Sequence, residues 1–293
     1  MPGRKSHLQY PPNFTQPEYI RITPEIAGWD SLHFAARAMK AGETWQHGTG
    51  ENELALVILG GVCSVSSNRG EWKKIGRRPN VFSGMPYTLY LPRQSEFELE
   101  ALSANLDIAY GWAPTHQEHL PQLIPPEAVE IEIRGGDNFT RQINRMIPPG
   151  FNCHRLVVVE VYTPSGNWSS YPGHKHDVHR VDVHGNLLEA DLEEVYFYKI
   201  DRPQEGWAVQ RVYNQDGSLD ELVLARDSHL VVIPEGYHPV VSPPGYNVYY
   251  LNFLAGSAQS LMSQDDERYA WVKESWAVKD PRLPLVSMEM ERS

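Results

Sequence analysis

Short runs of β-forming residues, broken by Gly, Pro and Asn turns, dominate the chain from Tyr19 onward. They fall at residues 32–39, 53–59, 62–66, 88–91, 97–102 and 107–112, then again at 154–162, 194–200, 207–213, 221–225, 229–233 and 247–254. Between the two series lies the proline-rich stretch Leu120-Pro121-Gln122-Leu123-Ile124-Pro125-Pro126, followed by the strict alternation Val129-Glu130-Ile131-Glu132-Ile133-Arg134 of a half-exposed strand. The pattern predicts an all-β chain in two units, 1–125 and 126–293. One helix is expected, over about 264–276, where Asp265 or Asp266 could cap it. Residues 1–18 carry four prolines and read as an arm laid over the body or left loose.

The two series look like variations on one unit. Gly42-Glu43-Thr44-Trp45-Gln46-His47, then Glu53, then Gly60, parallels the run from Gly166 through His174 to Glu194. The first series lacks the paired histidines of the second, and its 90–96 segment lacks the histidine that closes Pro234-Glu235-Gly236-Tyr237-His238. Candidate chemistry therefore belongs to the second half.

That chemistry starts at Tyr171-Pro172-Gly173-His174-Lys175-His176-Asp177. Alternate residues of an extended segment point the same way, so His174 and His176 can reach one ion while Lys175 points away. Glu194 opens a strand that sends Glu194, Tyr196 and Tyr198 to one face. His238 follows a turn directly after an apolar strand. Three imidazoles and a carboxylate suit zinc, manganese, iron, cobalt or nickel. With an open position, such an ion favours loss of a proton beside a carbonyl, so enolisation is the chemistry the set would help most. His179 and His184 are alternative ligands read as solvated, and Glu193, on the opposite strand face, is a weaker choice than Glu194. The 17 residues between His176 and Glu194 read as a candidate lid or a plain surface insertion. Arg211 and Arg226 are the cations closest to predicted strands and could grip a carboxylate, or simply form surface ion pairs. Tyr196, one step along the face from Glu194, is the tyrosine singled out for proton transfer.

Bulk properties narrow the partners. With 37 acidic against 26 basic residues and a net charge of −11, nucleic acid and anionic membranes are excluded as expected partners, whereas a small anionic substrate fits local arginines. Two well-separated cysteines, no signal-like N-terminal run and no apolar stretch of bilayer length predict a cytoplasmic protein. Broad β faces suggest a homo-oligomer.

Several segments together carry a family likeness: residues 22–29, the string Asn167-Trp168-Ser169-Ser170-Tyr171-Pro172 with His174-Lys175-His176-Asp177, Val209-Gln210-Arg211-Val212-Tyr213, residues 234–240 and 244–252, and the tail 280–285. The chain resembles the 5-deoxy-glucuronate isomerase family, the bicupin enzymes of bacterial inositol catabolism. The resemblance implies two cupin barrels, each a double-stranded β-helix, with a metal-free N-terminal one. It implies one divalent metal on His174, His176, Glu194 and His238, and conversion of 5-deoxy-glucuronate to 5-dehydro-2-deoxy-gluconate through an enediolate. Tyr196 and Arg211 are the candidates for proton transfer and for holding the substrate carboxylate. Gly173 departs from the family pattern, which usually has a second proline there. The rival readings are a cupin iron(II) dioxygenase on the same ligands and a non-catalytic sugar-acid-binding cupin.

Overall fold

The structure is a computed structural model and describes residues 7–288. Two large sheets carry the chain. One has the strand order Gln122–Ile124, Thr88–Leu91, Asn52–Gly60, Leu106–Pro114, His33–Met39, Glu18–Ile22. The other runs Gln9–Tyr10, Leu230–Ile233, Leu192–Ile200, Val248–Gly256, Val157–Thr163, Arg141–Ile147, Glu130–Arg134. Each packs one face against a four-stranded sheet. The first is built from Thr44–Gly48, Glu96–Ala101, Cys63–Ser67 and Gly70–Ile75, the second from Trp168–Ser169, Val240–Val241, Ala208–Tyr213 and Asp220–Ala225. The neighbouring strands of the large sheets run antiparallel, so the architecture is all-β and cupin-like, as expected.

The central strands are apolar on both faces because both faces are buried. In Asn52–Gly60, Leu54, Leu56 and Ile58 face the first unit's interior with Val65 and Leu99. Ala55, Val57 and Leu59 face the other way, into a shared core with Val195, Phe197, Leu251 and Phe253 of the second large sheet. The two large sheets are thus stacked back to back. They approach so closely at Gly111 that any Cβ there would run into the Phe253 ring.

Polar locks tie the stack at both ends. The Glu193 carboxylate accepts the backbone N–H groups of Asp30 at 2.6 Å, Ser31 at 3.0 Å and Leu32 at 2.5 Å. Glu53 does the same for His154 at 2.8 Å, Arg155 at 2.6 Å and Leu156 at 3.1 Å, and also accepts the Tyr90 hydroxyl. Each glutamate therefore holds the loop that leads into a strand of the opposite sheet. Between these clasps the fully buried Arg78 guanidinium meets Glu160, which also accepts the Tyr249 hydroxyl at 2.9 Å.

Two expectations change and a third is narrowed. The helix over 264–276 is instead a short strand, Gln264–Asp265, and a 3-10 helix, Ala270–Ser275. Pairing of Asp265 with His174 takes the backbone that a helix would need. The proline-rich linker forms an edge strand, Gln122–Ile124, on Thr88–Leu91. The arm is not loose over its described part, since Gln9 and Tyr10 pair with Val231 and Leu230 across the stack.

Candidate metal centre

Strand register sets the centre. Glu194 pairs with Ile233 on one side and Leu254 on the other, so its side chain enters the second unit's interior beside those of Tyr196 and Tyr198. His176 is fixed to the same strand by reciprocal bonds with Leu192. Its Nδ1–H donates to the Leu192 carbonyl at 2.8 Å, and the Leu192 N–H donates to the His176 carbonyl at 3.0 Å. His174 sits on a two-residue strand paired with Gln264–Asp265. Gly173, just before it, is closely packed: a Cβ would lie 3.1 Å from the Tyr213 hydroxyl and 3.1 Å from Tyr237 Cβ, so those neighbours would have to give by a few tenths of an ångström. The turn ahead of His238 needs Gly236 at φ 90°. Asp177 accepts the Gly236 N–H at 2.8 Å, joining the two histidine-bearing segments. His238 Nδ1–H donates to the Gly236 carbonyl at 2.7 Å.

A carbonyl can only accept, so the Nδ1 atoms of His176 and His238 carry protons and both rings present Nε2 inward. The two Nε2 atoms lie 3.0 and 3.2 Å from the same oxygen, Glu194 Oε2. His238 Nε2 is nonetheless a buried nitrogen with no hydrogen-bond partner. The donor atoms of His176, Glu194 and His238 all lie within 4.8 Å of one another, and all three residues are buried. Donors that each sit about 2.0–2.2 Å from one ion stand roughly 3–3.6 Å apart, so the two spacings to Glu194 and the orphaned nitrogen fit a divalent ion. His174, whose ring lies 4.7 Å from that of His238 and 6.4 Å from that of His176, stands at the edge of the trio.

Electrostatics point the same way. Burial would raise the Glu194 pKa, but the two imidazoles hold it down to about 2. Burial, reinforced by His238, pushes His174 well below its ordinary value, so it stays neutral with a lone pair to offer. Burial and then the Glu194 charge push the Tyr196 hydroxyl well above 10.0, so it keeps its proton. Its ring lies 5.7 Å from that of His238.

A cavity of about 60 Å³ opens beside the trio, lined by Arg141, Ser170, His174, Glu194, Tyr196, Tyr250 and Asn252 among others. Ordinary ligand pockets run to about 300 Å³ or more, so entry of a ligand of ordinary size requires lining side chains to move. Residues 177–193, read as a candidate lid, do not line it. Among them Glu193 is the clasp to Asp30–Leu32, His179 bonds Ser257 at 2.8 Å, and His184 is exposed.

Arg211 lies elsewhere than expected. Alternation along Ala208–Tyr213 turns Gln210 inward and Arg211 outward. There Arg211 is 2.7 and 2.8 Å from the Asp220 carboxylate oxygens and stacks on the Tyr213 ring. Arg226 is exposed, and Lys175, directed away from the trio, bonds Asp177 and Glu189. Three arginines line the cavity, Arg134, Arg141 and Arg145, and the buried one is Arg141, on a strand the sequence reading passed over. Its signal was the alternation Arg141, Ile143, Arg145, one face of a strand running just after the proline-rich linker.

The parallel drawn between Glu53 and Glu194 also shifts by one residue. Glu194 lies between Ile233 and Leu254, whereas the residue between Leu91 and Trp112 is Leu54. Glu53 matches Glu193, and one step along a strand exchanges its two faces.

Known proteins extend this picture. A protein named 5-deoxy-glucuronate isomerase from Geobacillus thermodenitrificans is 41% identical over 257 residues, 87% of this chain and 91% of its own. One of the same name from Bacillus subtilis strain 168 is 34% identical, over 87% of this chain and 94% of its own. The crystal structure of an IolB-like protein from Salmonella typhimurium LT2 superposes with a TM-score of 0.86 at 35% identity, covering 91% of this chain and 99% of that one. Oxalate decarboxylase from Bacillus subtilis shares the fold alone, with a TM-score of 0.59 at 11% identity over 90% of this chain and 80% of that one. The KduI/IolB family model matches residues 8–272, and with these relatives it shows that the chain belongs to the KduI/IolB family.

Proposed function

We propose that this protein is a metal-dependent isomerase that converts the aldose 5-deoxy-glucuronate into the ketose 5-dehydro-2-deoxy-gluconate through an enediolate. The observation that carries the reading is the buried His176–Glu194–His238 trio, with both Nδ1 atoms tied to carbonyls and His238 Nε2 unpartnered. The named relatives supply the substrate. In this reading His174, His176, Glu194 and His238 hold one divalent ion, and residues 1–125 form a metal-free cupin unit beside the metal-bearing unit 126–293. Zinc, manganese and iron all suit such donors. A divalent ion bound there supplies electrophilic polarisation of adjacent oxygen atoms.

Two features of the chain act beside that ion. The reaction moves the proton on C2 to C1 and the hydroxyl proton of C2 to the oxygen of C1, so it balances without oxidant or co-reactant. Tyr196, held protonated, donates from its hydroxyl to oxygen on the reacting carbons. The apolar cavity walls, among them Val159, Val161 and Leu254, exclude bulk water from the enediolate.

The test is proton NMR of 5-deoxy-glucuronate with the purified protein in D2O, with and without oxygen, before and after chelation. Ketose formation without oxygen, loss of turnover on chelation and its return with added metal are expected. Oxygen-dependent turnover would point to dioxygenase chemistry, and tight binding with no product to a binding protein. Full metal content and turnover in a His174→Ala/His176→Ala double variant would overturn the ligand assignment.

A further inference from the structure

We infer that Arg141 is the anion anchor of the cavity, the residue that receives the carboxylate of a sugar acid whose other end lies at the metal trio. This rests on the reading of the site as one for uronates and adds the residue that recognises the acid.

Arg141 is only 6% exposed, and burial lowers its pKa without making a guanidinium neutral. Such a charge in a folded interior is normally paired. Yet the Arg141 side chain makes no hydrogen bond or ion pair with any described residue. Its two cationic neighbours differ. Arg134 lies 2.8 Å from Glu132 through Nε, and Arg145 lies 3.0 Å from the same carboxylate, so Glu132 pairs with both and makes no hydrogen bond to the Arg141 side chain. Alternation along Arg141–Ile147 places Arg141 and Ile143 on the interior face, and both line the cavity that also holds His174 and Glu194.

Charge makes the same case on a larger scale. The chain carries a net −11, but three guanidiniums at the cavity, Arg134, Arg141 and Arg145, face two carboxylates, Glu194 and the Glu132 that pairs with Arg134 and Arg145. The Glu194 carboxylate already faces two imidazoles. A low-dielectric pocket of inverted sign concentrates anions. A planar, unpaired guanidinium in it accepts a carboxylate through two parallel N–H···O bonds.

The test uses the full-length, metal-loaded protein. Calorimetry should show wild type binding D-glucuronate at least about 10-fold tighter than D-glucose, a margin that a charge-assisted bond supplies. Arg141→Met should abolish that difference, and Arg141→Lys should keep part of it. With 5-deoxy-glucuronate, Arg141→Met should raise KM on the order of 10- to 100-fold while kcat changes much less. Because no internal partner is lost, Arg141→Met should melt no lower than wild type and retain its metal. A lowered melting point or loss of metal in Arg141→Met would overturn the inference by giving the guanidinium a structural partner. Sulfate binding as tightly as glucuronate would overturn it too, leaving an unselective anion site. If glucuronate binds through Arg141 and no ketose forms from 5-deoxy-glucuronate, the isomerase reading fails and the anchor stands. If ketose forms and Arg141→Met keeps the wild-type KM, the reaction stands and the anchor fails.

Discussion

The strands Asn52–Gly60 and Leu192–Ile200 are the same device used twice. Each is nine residues long, central in its sheet, and flanked in equivalent register by an apolar edge-side strand and a long central partner. At the second position both carry glutamate, and both glutamates reach across the stack to hold a loop of the other half. At the third position one strand has Leu54, buried among Leu91 and Trp112, and the other has Glu194 among imidazoles. Adjacent residues on opposite faces thus carry separate tasks. The outward face joins the halves and is retained in both, while the inward face differs and carries the proposed chemistry in one.

Exchanging the third position is the strongest way to break the comparison. Glu194→Leu, which copies the first half, should reduce metal retention by more than the roughly 100-fold that loss of a supporting outer-shell partner costs, and turnover with it. Metal stoichiometry after desalting checks this. The reciprocal Leu54→Glu places a carboxylate in an interior without paired histidines and should cost about 3–5 kcal/mol with no gain of metal, read by denaturant unfolding. The second position should give a graded, paired effect. Glu53→Gln removes the charge from a fully buried clasp that also serves Tyr90 and should cost about 2–3 kcal/mol. Glu193→Gln, at a partly exposed clasp, should cost about 1–2 kcal/mol. Neither should change metal content, and a clasp variant that lost metal would undo the separation of tasks between the two faces. The smallest effect is expected on the outer face of the second unit, where Arg211→Ala should leave kcat/KM within about 2-fold because its partner is surface Asp220.

Periodicity carried much of this into the sequence. The predicted run 88–91 coincides with the strand Thr88–Leu91, and 107–112 lies within Leu106–Pro114. His176, Glu194 and His238 were legible because each is a ligand-type residue on or beside an apolar strand. What escaped were features that depend on a partner elsewhere in the chain. Arg141–Ile147 is rich in polar residues, since Gln142 and Asn144 enter the buried network around Glu160 and Arg141 enters the cavity. Its alternation therefore carried no apolar face to read. The segment after Gln264 has a capping pattern, and Asp266 does accept the Arg268 N–H, but pairing with His174 limits the helix to a 3-10 turn. Arg211 was misjudged because proximity to a strand says nothing about which face a side chain takes until the register is known.

The edge strand that crosses between the halves bears on how the gene product can be cut. Gln9–Tyr10, from the start of the chain, borders Leu230–Ile233, while the linker strand Gln122–Ile124 borders Thr88–Leu91. A fragment beginning at residue 126 would leave the apolar strand Leu230–Ile233 with an open side and strip Glu193 of its three donors. Such an unfinished edge recruits other chains. The second unit expressed alone is therefore an aggregation hazard, and the two units, however similar, are expected to be expressed, folded and degraded as one.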